Sequence, residues 1–180
     1  MGSDKALLRL DGLTLLERAL AIARAASPEV RIVGQRDKFA AYAPVIEDLY
    51  PGQGPLAGIH AALSGSQSEL NFIMALDTPF LDASFVRYLM EQAERSGATV
   101  TVPRVGERTH PLCAVYRREF AAVAEAALRE QRNSIVPLYA KVSTRQIGED
   151  ELRGLGFHAR MFDNLNTLEE WEQACRRART

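Results

Sequence analysis

The sequence has few cysteines. Cys113 and Cys175 are the only two in 180 residues, and they lie far apart, outside any spacing typical of metal ligands. A disulfide-stapled fold and a cysteine zinc site are therefore not expected. Unpaired, reduced thiols are typical of the cytoplasm, so we expect a cytoplasmic protein.

Long hydrophobic runs are also missing. Although 47% of the residues are hydrophobic, charged residues interrupt each apolar run well before the roughly 18 residues that would span a bilayer. The first ten residues contain no long apolar stretch of the kind that secretion signals need. We therefore expect no membrane partner.

An excess of charge of either sign is absent as well, because the formal net charge is -1 at pH 7. Without a basic field over the surface, a nucleic-acid partner is not expected. Lysine is scarce: of the 22 basic residues, nineteen are arginine, so each lysine position is conspicuous.

What the sequence does contain is an alternation of helical and strand-like segments. A capping box at 14–17 predicts a helix through Ala26, and Asp82 and Gly97 are typical of the start and end of another. Strands are predicted at residues 30–33, 44–46, 71–76, 99–102, 112–116 and 143–147. Helices between strands indicate crossover connections, and hence an α/β fold with a mostly parallel sheet. Ligands of such sheets bind where strands end.

The first candidate loop is the N-terminal segment 2–5. A glycine shortly before Lys5 lets the backbone approach a phosphate closely, and the ammonium group neutralises its charge. A solvated lysine near a frayed terminus is the alternative interpretation.

The second candidate is the segment 48–58, which holds three glycines and two prolines within eight residues. This composition indicates a shaped loop, and Pro55 is well placed at the first position of a helix. The free N–H groups at such a helix start can contact a base or a ribose, although an ordinary connecting loop is the alternative.

Asp77 directly follows the strongest predicted strand. A carboxylate there is partly desolvated, which is costly unless it binds a partner such as Mg²⁺. The alternative is a turn aspartate, but Asp82 is the better cap for the next helix. We therefore favour a metal-binding role for Asp77.

Two segments carry amide and imidazole groups. Asn164 and Asn166 alternate with apolar neighbours, so in an extended segment both amides share one face; contact with a ligand and closure of a turn are equally consistent with this pattern. His110 precedes Pro111, and substrate contact and a turn position are likewise both open.

Taken in order, these segments resemble those of the molybdenum cofactor guanylyltransferases, a branch of the nucleotidyltransferases. The resemblance runs along nearly the whole chain, in the segments MGSDKALL (1–8), VIED (45–48), GPLAG (54–58), DTP (77–79), HPL (110–112) and NLNT (164–167). It implies a Rossmann-like, three-layer α/β/α fold with a mostly parallel central sheet. It also implies one domain over 1–180, with a nucleotide-binding half at about 1–97 and an acceptor-binding half at about 98–180.

The resemblance further implies transfer of GMP from GTP to molybdopterin, with release of pyrophosphate and dependence on Mg²⁺. Lys5 and Asp77 would be catalytic, with Lys5 on the GTP phosphates and Asp77 holding the metal. The residues implied on the GTP side are Lys5, Gly34, Asp48, Gly54, Pro55, Leu56, Gly58 and Asp77. Those implied on the molybdopterin side are His110, Pro111, Arg132, Asn164 and Asn166. Proteins that deliver molybdopterin or take up the product are further implied partners.

Two departures from the family pattern affect these expectations. The family signature begins with a strand and a glycine-rich loop of the form LxGGxSxR, which would stand just before Met1. We therefore expect either that Met1 is an internal methionine of a longer natural protein or that the numbered chain omits a disordered start. Gly34 stands near a position where relatives often carry asparagine, so only its backbone can contact a nucleotide.

Alternative functions remain open. A related transferase that uses CTP, or a sugar-phosphate or alcohol-phosphate acceptor, would share the fold and the metal site. A degenerate, non-catalytic nucleotide-binding or adaptor protein would explain the missing glycine-rich loop, whereas Asp77 and the segment 54–58 favour catalysis. A chance coincidence of motifs in an unrelated α/β domain is disfavoured by their order.

Overall fold

The structure is a computed structural model, and it describes residues 5–10 and 12–163. The helices in this part of the chain are α1 (Leu15–Ala26), α2 (Arg36–Phe39), α3 (Pro55–Ser64), α4 (Ala83–Ser96), α5 (Phe120–Arg129) and α6 (Glu149–Gly154). Short 3₁₀ turns cover Lys5–Leu7, Val136–Lys141 and Ala159–Phe162. The strands are β1 (Arg9–Leu10), β2 (Leu13–Thr14), β3 (Ile32–Val33), β4 (Val45–Ile46), β5 (Leu70–Met74), β6 (Val100–Val105), β7 (Arg108–Thr109), β8 (Cys113–Arg117) and β9 (Thr144–Gly148).

The predicted helix caps are confirmed. The Thr14 hydroxyl accepts the Glu17 N–H at 3.1 Å, and the Glu17 carboxylate accepts the Thr14 N–H at 2.7 Å, so both halves of the capping box form. The Asp82 carboxylate accepts the Ser84 N–H at 2.6 Å at the start of α4, and Gly97 ends that helix with a φ of +65°. Local sequence therefore fixes where α1 and α4 begin and where α4 ends.

The main sheet is mixed, so the prediction of a mostly parallel sheet is not confirmed. Strand β8 lies between β5 and β6 and runs antiparallel to both, while β9 runs parallel to β6. The cause is the connection from β6 to β8, which contains only the short strand β7 and turns. A parallel arrangement needs a crossover of a dozen or more residues, usually a helix. A separate parallel pair, β3 with β4, accompanies this sheet.

Helices cover both faces of the main sheet, which confirms three layers. Along β8, Ala114 and Tyr116 belong to the apolar core shared with α3 and α5. Cys113 and Val115 point the other way, into the core shared with α4 and α6. The alternation is the two-residue period of a strand that is buried on both faces.

The N-terminal part of the chain forms a third apolar cluster. It contains Ala6, Leu16, Leu20, Ile32 and Val45, and Leu76 from the chain just after β5 packs against it. Helix α3 contacts both β3 and β5, and α1 packs against α4, so this cluster joins the main sheet. No helix within residues 5–10 and 12–163 is long and apolar enough to cross a bilayer.

Candidate active site

The N-terminal turn and the end of β5 meet at the same apolar cluster. Lys5 begins the 3₁₀ turn Lys5–Leu7, and the next residue, Ala6, is buried in the cluster. Leu76 packs against that cluster, and Asp77 follows Leu76. The two residues predicted to be catalytic are therefore each one residue away from a member or neighbour of one cluster.

Gly34 lies directly after β3, where a side chain would crowd the ring of Phe39. A Cβ at this position would come within 3.0 Å of the Phe39 ring. The Gly34 N–H already donates to the Ile46 carbonyl at 3.0 Å. The Gly34 carbonyl oxygen is the main-chain group that could accept a hydrogen bond from a ligand, so the nucleotide contact at Gly34 stays a prediction.

The loop after β4 is shaped by its own hydrogen bonds. The Asp48 carboxylate accepts the Tyr50 N–H at 2.8 Å through Oδ1, and the Tyr50 carbonyl accepts the Gln53 N–H at 3.2 Å. Gly52 and Gly54 have φ angles of +81° and +75°, where other residues would be strained. The loop therefore holds Asp48 in a set orientation, and its second carboxylate oxygen has no hydrogen bond from the described residues.

This loop leads directly into α3. Pro55 begins the helix, as predicted, and the Gly54 carbonyl accepts the Ala57 N–H at 3.1 Å. The Leu56 side chain is fully buried in the core, so it anchors the helix, and any contact with a nucleotide must come from its main chain. A Cβ on Gly58 would meet nothing within 4 Å, so the first turns of α3 border open space there.

Asp77 lies at the carboxyl end of β5 in a fixed turn. The Thr78 hydroxyl donates to the Ala75 carbonyl at 3.0 Å, and the Ala75 N–H donates to the Leu112 carbonyl at 2.9 Å. The Asp77 side chain is half-buried, and no hydrogen bond or ion pair reaches it from within 5–10 and 12–163. This carboxylate suits a cation that takes its other ligands from phosphate and water. No group of three or more acidic, histidine or cysteine side chains within the described ranges forms a complete metal site.

The segment His110–Leu112 lies beside Asp77 because β8 runs antiparallel to β5. Met74 pairs with Cys113, and Ala75 is bonded to Leu112, so the start of β8 adjoins the end of β5. Within the segment, the His110 N–H donates to the Pro103 carbonyl at 3.0 Å, and the Cys113 N–H donates to the His110 carbonyl at 3.0 Å. The predicted metal residue and the predicted acceptor segment therefore share one edge of the sheet.

The His110 ring is half-buried and neutral. It stacks on Phe162, with ring centroids 4.4 Å apart. Burial lowers the pKa of His110 to about 4, and the positive charge of Arg108 adds to the shift. At neutral pH the imidazole therefore offers one N–H donor and one acceptor nitrogen.

The remaining residues predicted on the acceptor side are Arg132, Asn164 and Asn166. Arg132 follows the end of α5, is exposed, and pairs with Glu130. Asn164 and Asn166 lie outside the described residues. The last described residue before them is Asp163, directly after Phe162, whose ring stacks on His110.

Two tyrosines that support the site were not singled out from the sequence. The Tyr50 hydroxyl donates to Glu125 Oε1 at 3.2 Å, and the Tyr116 hydroxyl donates to the Pro111 carbonyl at 2.8 Å. Tyr50 belongs to the segment 48–58 and Tyr116 to a predicted strand. Their sequence signal is the same as that of ordinary core aromatics, so only the three-dimensional contacts identify them.

Comparison of the fold defines the class of protein. The structure superposes on the crystal structure of molybdopterin-guanine dinucleotide biosynthesis protein A from Archaeoglobus fulgidus with a TM-score of 0.84 and 26% identity, covering 99% of this chain and 92% of that one. It also shares the fold of 2-C-methyl-D-erythritol 4-phosphate cytidylyltransferase from Thermus thermophilus, with a TM-score of 0.72 and 20% identity, covering 98% and 94% of the two chains. The fold is that of the nucleotidyltransferases.

Sequence comparison identifies the family. Residues 1–144 match the model of the MobA-like NTP transferase domain. The chain is 35% identical to a probable molybdenum cofactor guanylyltransferase of Pelotomaculum thermopropionicum, over 93% of this chain and 82% of that protein. The chain belongs to the MobA-like nucleotidyltransferases, in the family of the molybdenum cofactor guanylyltransferases.

Proposed function

We propose that this protein transfers GMP from GTP to the terminal phosphate of molybdopterin and releases pyrophosphate. Two relatives named as molybdenum cofactor guanylyltransferases match over 82% and 86% of their length, which supports this reaction. The structural observation that carries the proposal is the 2.9 Å hydrogen bond between Ala75 and Leu112. That bond joins the strand end bearing Asp77 to the segment proposed for the acceptor, so donor and acceptor phosphates can meet at one sheet edge.

On the nucleotide side, the loop 48–58 would bind guanosine. The Asp48 carboxylate has one oxygen without a partner among the described residues, which can accept N–H or hydroxyl hydrogen bonds. The open space at Gly58 lets the nucleotide approach the start of α3, where backbone N–H groups favour an anion. Gly34 would add a carbonyl oxygen, and Lys5 would place its ammonium group on the phosphates.

The acceptor side would be built by His110, Pro111, Arg132, Asn164 and Asn166. The support for this assignment is the position of His110 and Pro111 beside Asp77. A neutral imidazole at position 110 can donate or accept a hydrogen bond with a polar heterocycle without adding charge. Arg132 would attract the acceptor phosphate from the surface.

Asp77 would hold Mg²⁺, and its fit to that role rests on the half-buried carboxylate that no described residue engages. When bound, the metal would neutralise charge on the GTP phosphates. A single carboxylate with phosphate and water ligands is typical of magnesium sites in nucleotide enzymes.

The reaction requires the protein to align the two substrates, and it needs no covalent enzyme intermediate. An acceptor phosphate oxygen forms a bond to the α-phosphorus of GTP. The bond between the α-phosphorus and the oxygen that bridges it to the β-phosphate breaks, and pyrophosphate leaves with that electron pair. Two anions repel each other, so holding them in line is the main task. Lys5 would reduce the repulsion, and the loop 48–58 and the segment 110–112 would fix the two substrates. We place this reaction in the cytoplasm, with partners that supply molybdopterin or receive the product.

The deciding experiment is incubation of the protein with α-phosphate-labelled GTP, molybdopterin and Mg²⁺. The expected result is a labelled dinucleotide and one pyrophosphate for each dinucleotide. A parallel incubation with CTP should give little product, and preferential use of CTP would instead show a cytidylyltransferase. Binding of GTP with no transfer would show a non-catalytic nucleotide-binding protein and overturn the proposal.

A further inference from the structure

The Tyr116 hydroxyl lies in the core behind the segment His110–Leu112. Tyr116 belongs to β8 and is fully buried between the sheet and the helices α3 and α5. Its hydroxyl is 2.8 Å from the Pro111 carbonyl oxygen and 2.9 Å from the Tyr139 hydroxyl. A polar group in such a position is retained at low cost only if its hydrogen bonds are complete.

The direction of the two hydrogen bonds follows from the groups present. The Pro111 carbonyl can only accept, and a hydroxyl carries a single proton, so Tyr116 donates to Pro111. Tyr139 must then donate to Tyr116. Burial raises the pKa of both phenols, to about 12 for Tyr139, so both keep their protons at neutral pH. The chain of donors therefore runs Tyr139 to Tyr116 to Pro111.

This chain ends at the centre of the proposed acceptor segment. On one side of Pro111, the His110 ring stacks on Phe162; on the other, the Leu112 carbonyl accepts the Ala75 N–H. Proline has no N–H of its own, so its carbonyl is the one main-chain polar group with which the core can hold this residue. The Tyr116 hydroxyl thus ties the Pro111 main chain, at the middle of the segment, to the core.

We propose that Tyr116 is a positioning residue for the acceptor. Its hydroxyl fixes the position of the segment His110–Leu112 at the edge of the sheet. It thereby fixes the position of the acceptor phosphate relative to Asp77. Tyr116 itself is buried and touches no substrate. This inference rests on the proposed function, because it assigns the segment 110–112 to the acceptor side of that reaction.

The substitution Tyr116→Phe removes only the hydroxyl and keeps the aromatic ring. The ring would stay in its packing against Phe120, 5.0 Å away between centroids, while the Pro111 carbonyl would lose its buried partner and move toward water. We expect the KM for molybdopterin to rise by about three- to tenfold, the range of one lost neutral hydrogen bond, and the KM for GTP to stay within about twofold of the wild type.

Tyr88→Phe is the matched control. The Tyr88 hydroxyl donates to Glu151 at 2.7 Å between α4 and α6, on the opposite face of the sheet. Its loss should lower stability without changing either KM. A rise of the molybdopterin KM in Tyr88→Phe equal to that in Tyr116→Phe would show a general loss of stability and overturn the proposal.

A structural readout complements the kinetics. Hydrogen exchange should quicken at the amides of Ala75 and Cys113, which bond to Leu112 and His110, in Tyr116→Phe. Exchange at Ile32, whose N–H donates to the Pro44 carbonyl in the separate β3–β4 pair, should not change. If Tyr116→Phe does not fold, Tyr139→Phe serves instead, because it removes the donor to Tyr116 and should raise the molybdopterin KM to a smaller extent.

The outcomes separate this inference from the function on which it rests. If the wild type makes no dinucleotide, the proposed function fails and this inference fails with it. If the wild type is active and Tyr116→Phe keeps an unchanged molybdopterin KM, only the positioning role is overturned. An equal rise of both KM values would also overturn it, since the effect would not belong to the acceptor.

Discussion

The imidazole of His110 lies against the ring of Phe162, with centroids 4.4 Å apart and an angle of 25° between the planes. This contact links the proposed acceptor segment to the 3₁₀ turn Ala159–Phe162. It also removes the imidazole from water, which disfavours its charged form. A structural link in the site is thereby sensitive to pH.

The pH dependence of stability should report this burial. The folded-state pKa of about 4 lies below the ordinary value of 6.5, so between these values the unfolded chain binds more protons than the folded one. The contribution of His110 to the free energy of unfolding is therefore complete above pH 6.5 and is lost as the pH falls toward 4. We expect urea unfolding of the wild type to lose more stability over this interval than His110→Gln, and parallel pH profiles would contradict the assignment.

Asp77→Asn should separate activity from stability. The Asp77 carboxylate has no partner within residues 5–10 and 12–163, so its neutralisation should change the free energy of unfolding by less than about 0.5 kcal/mol. GMP transfer should fall by at least about a hundredfold, because the metal would lose its protein ligand.

Asp82→Ala is the matched control for Asp77→Asn. It removes the cap of α4 and should cost about 1 kcal/mol of stability while leaving transfer at the wild-type rate. Assays of transfer and urea unfolding on both variants give the comparison. Near-normal transfer by Asp77→Asn would refute the metal role.

Gly58→Ala should stabilise the protein but weaken its use of GTP. A helical glycine with open space around it gains about 0.5–1 kcal/mol of stability when alanine replaces it. The added methyl group would occupy the space through which the nucleotide approaches α3, so the KM for GTP should rise. Thermal unfolding and GTP kinetics test the two effects together.

Gly154→Ala provides the comparison for Gly58→Ala. Gly154 also has a helical backbone, and a Cβ there would meet no atom within 4 Å, but it ends α6, away from the loop 48–58. This substitution should not alter the KM for GTP. A GTP KM that is unchanged in Gly58→Ala as well would mean that the nucleotide does not approach this turn.

Tyr50→Phe should affect the nucleotide and spare the acceptor. The Tyr50 hydroxyl ties the loop 48–58 to Glu125, which Arg129 holds at 2.6 Å. Without that tie the orientation of Asp48 is less restricted, so the KM for GTP should rise by about two- to tenfold. The KM for molybdopterin should stay constant, the reverse of the pattern expected for Tyr116→Phe. Equal shifts of both KM values would argue for a loosened core.

The sequence correctly predicted those structural features that depend on residues close together along the chain. The capping box at Thr14, the cap at Asp82 and the start of α3 at Pro55 all depend on residues within one turn, and each is confirmed. Helix α6 was not predicted, because its six residues lack a clear apolar period.

The direction of β8 could not be predicted from its own residues. An apolar strand that is buried on both faces has the same hydrophobic sequence pattern in parallel and antiparallel sheets. The helix-free connection from β6 was the available signal, and the frequent helices elsewhere outweighed it. The hydrogen bonds of Tyr50 and Tyr116 could not be predicted either, because their partners are 75 and 5 residues away and spacing alone does not pair them.

The reversal of β8 has a consequence for catalysis. Had this strand run alongside β5 in the same sense, its far end, Arg117, would lie next to Asp77, and His110 would be a strand length away. Because it is reversed, the two anchoring segments are separated by the spacing of adjacent strands, about 4.8 Å. In the proposed reaction, this backbone ladder would bring the reacting phosphates together, so no hinge motion would be needed to close the distance between them.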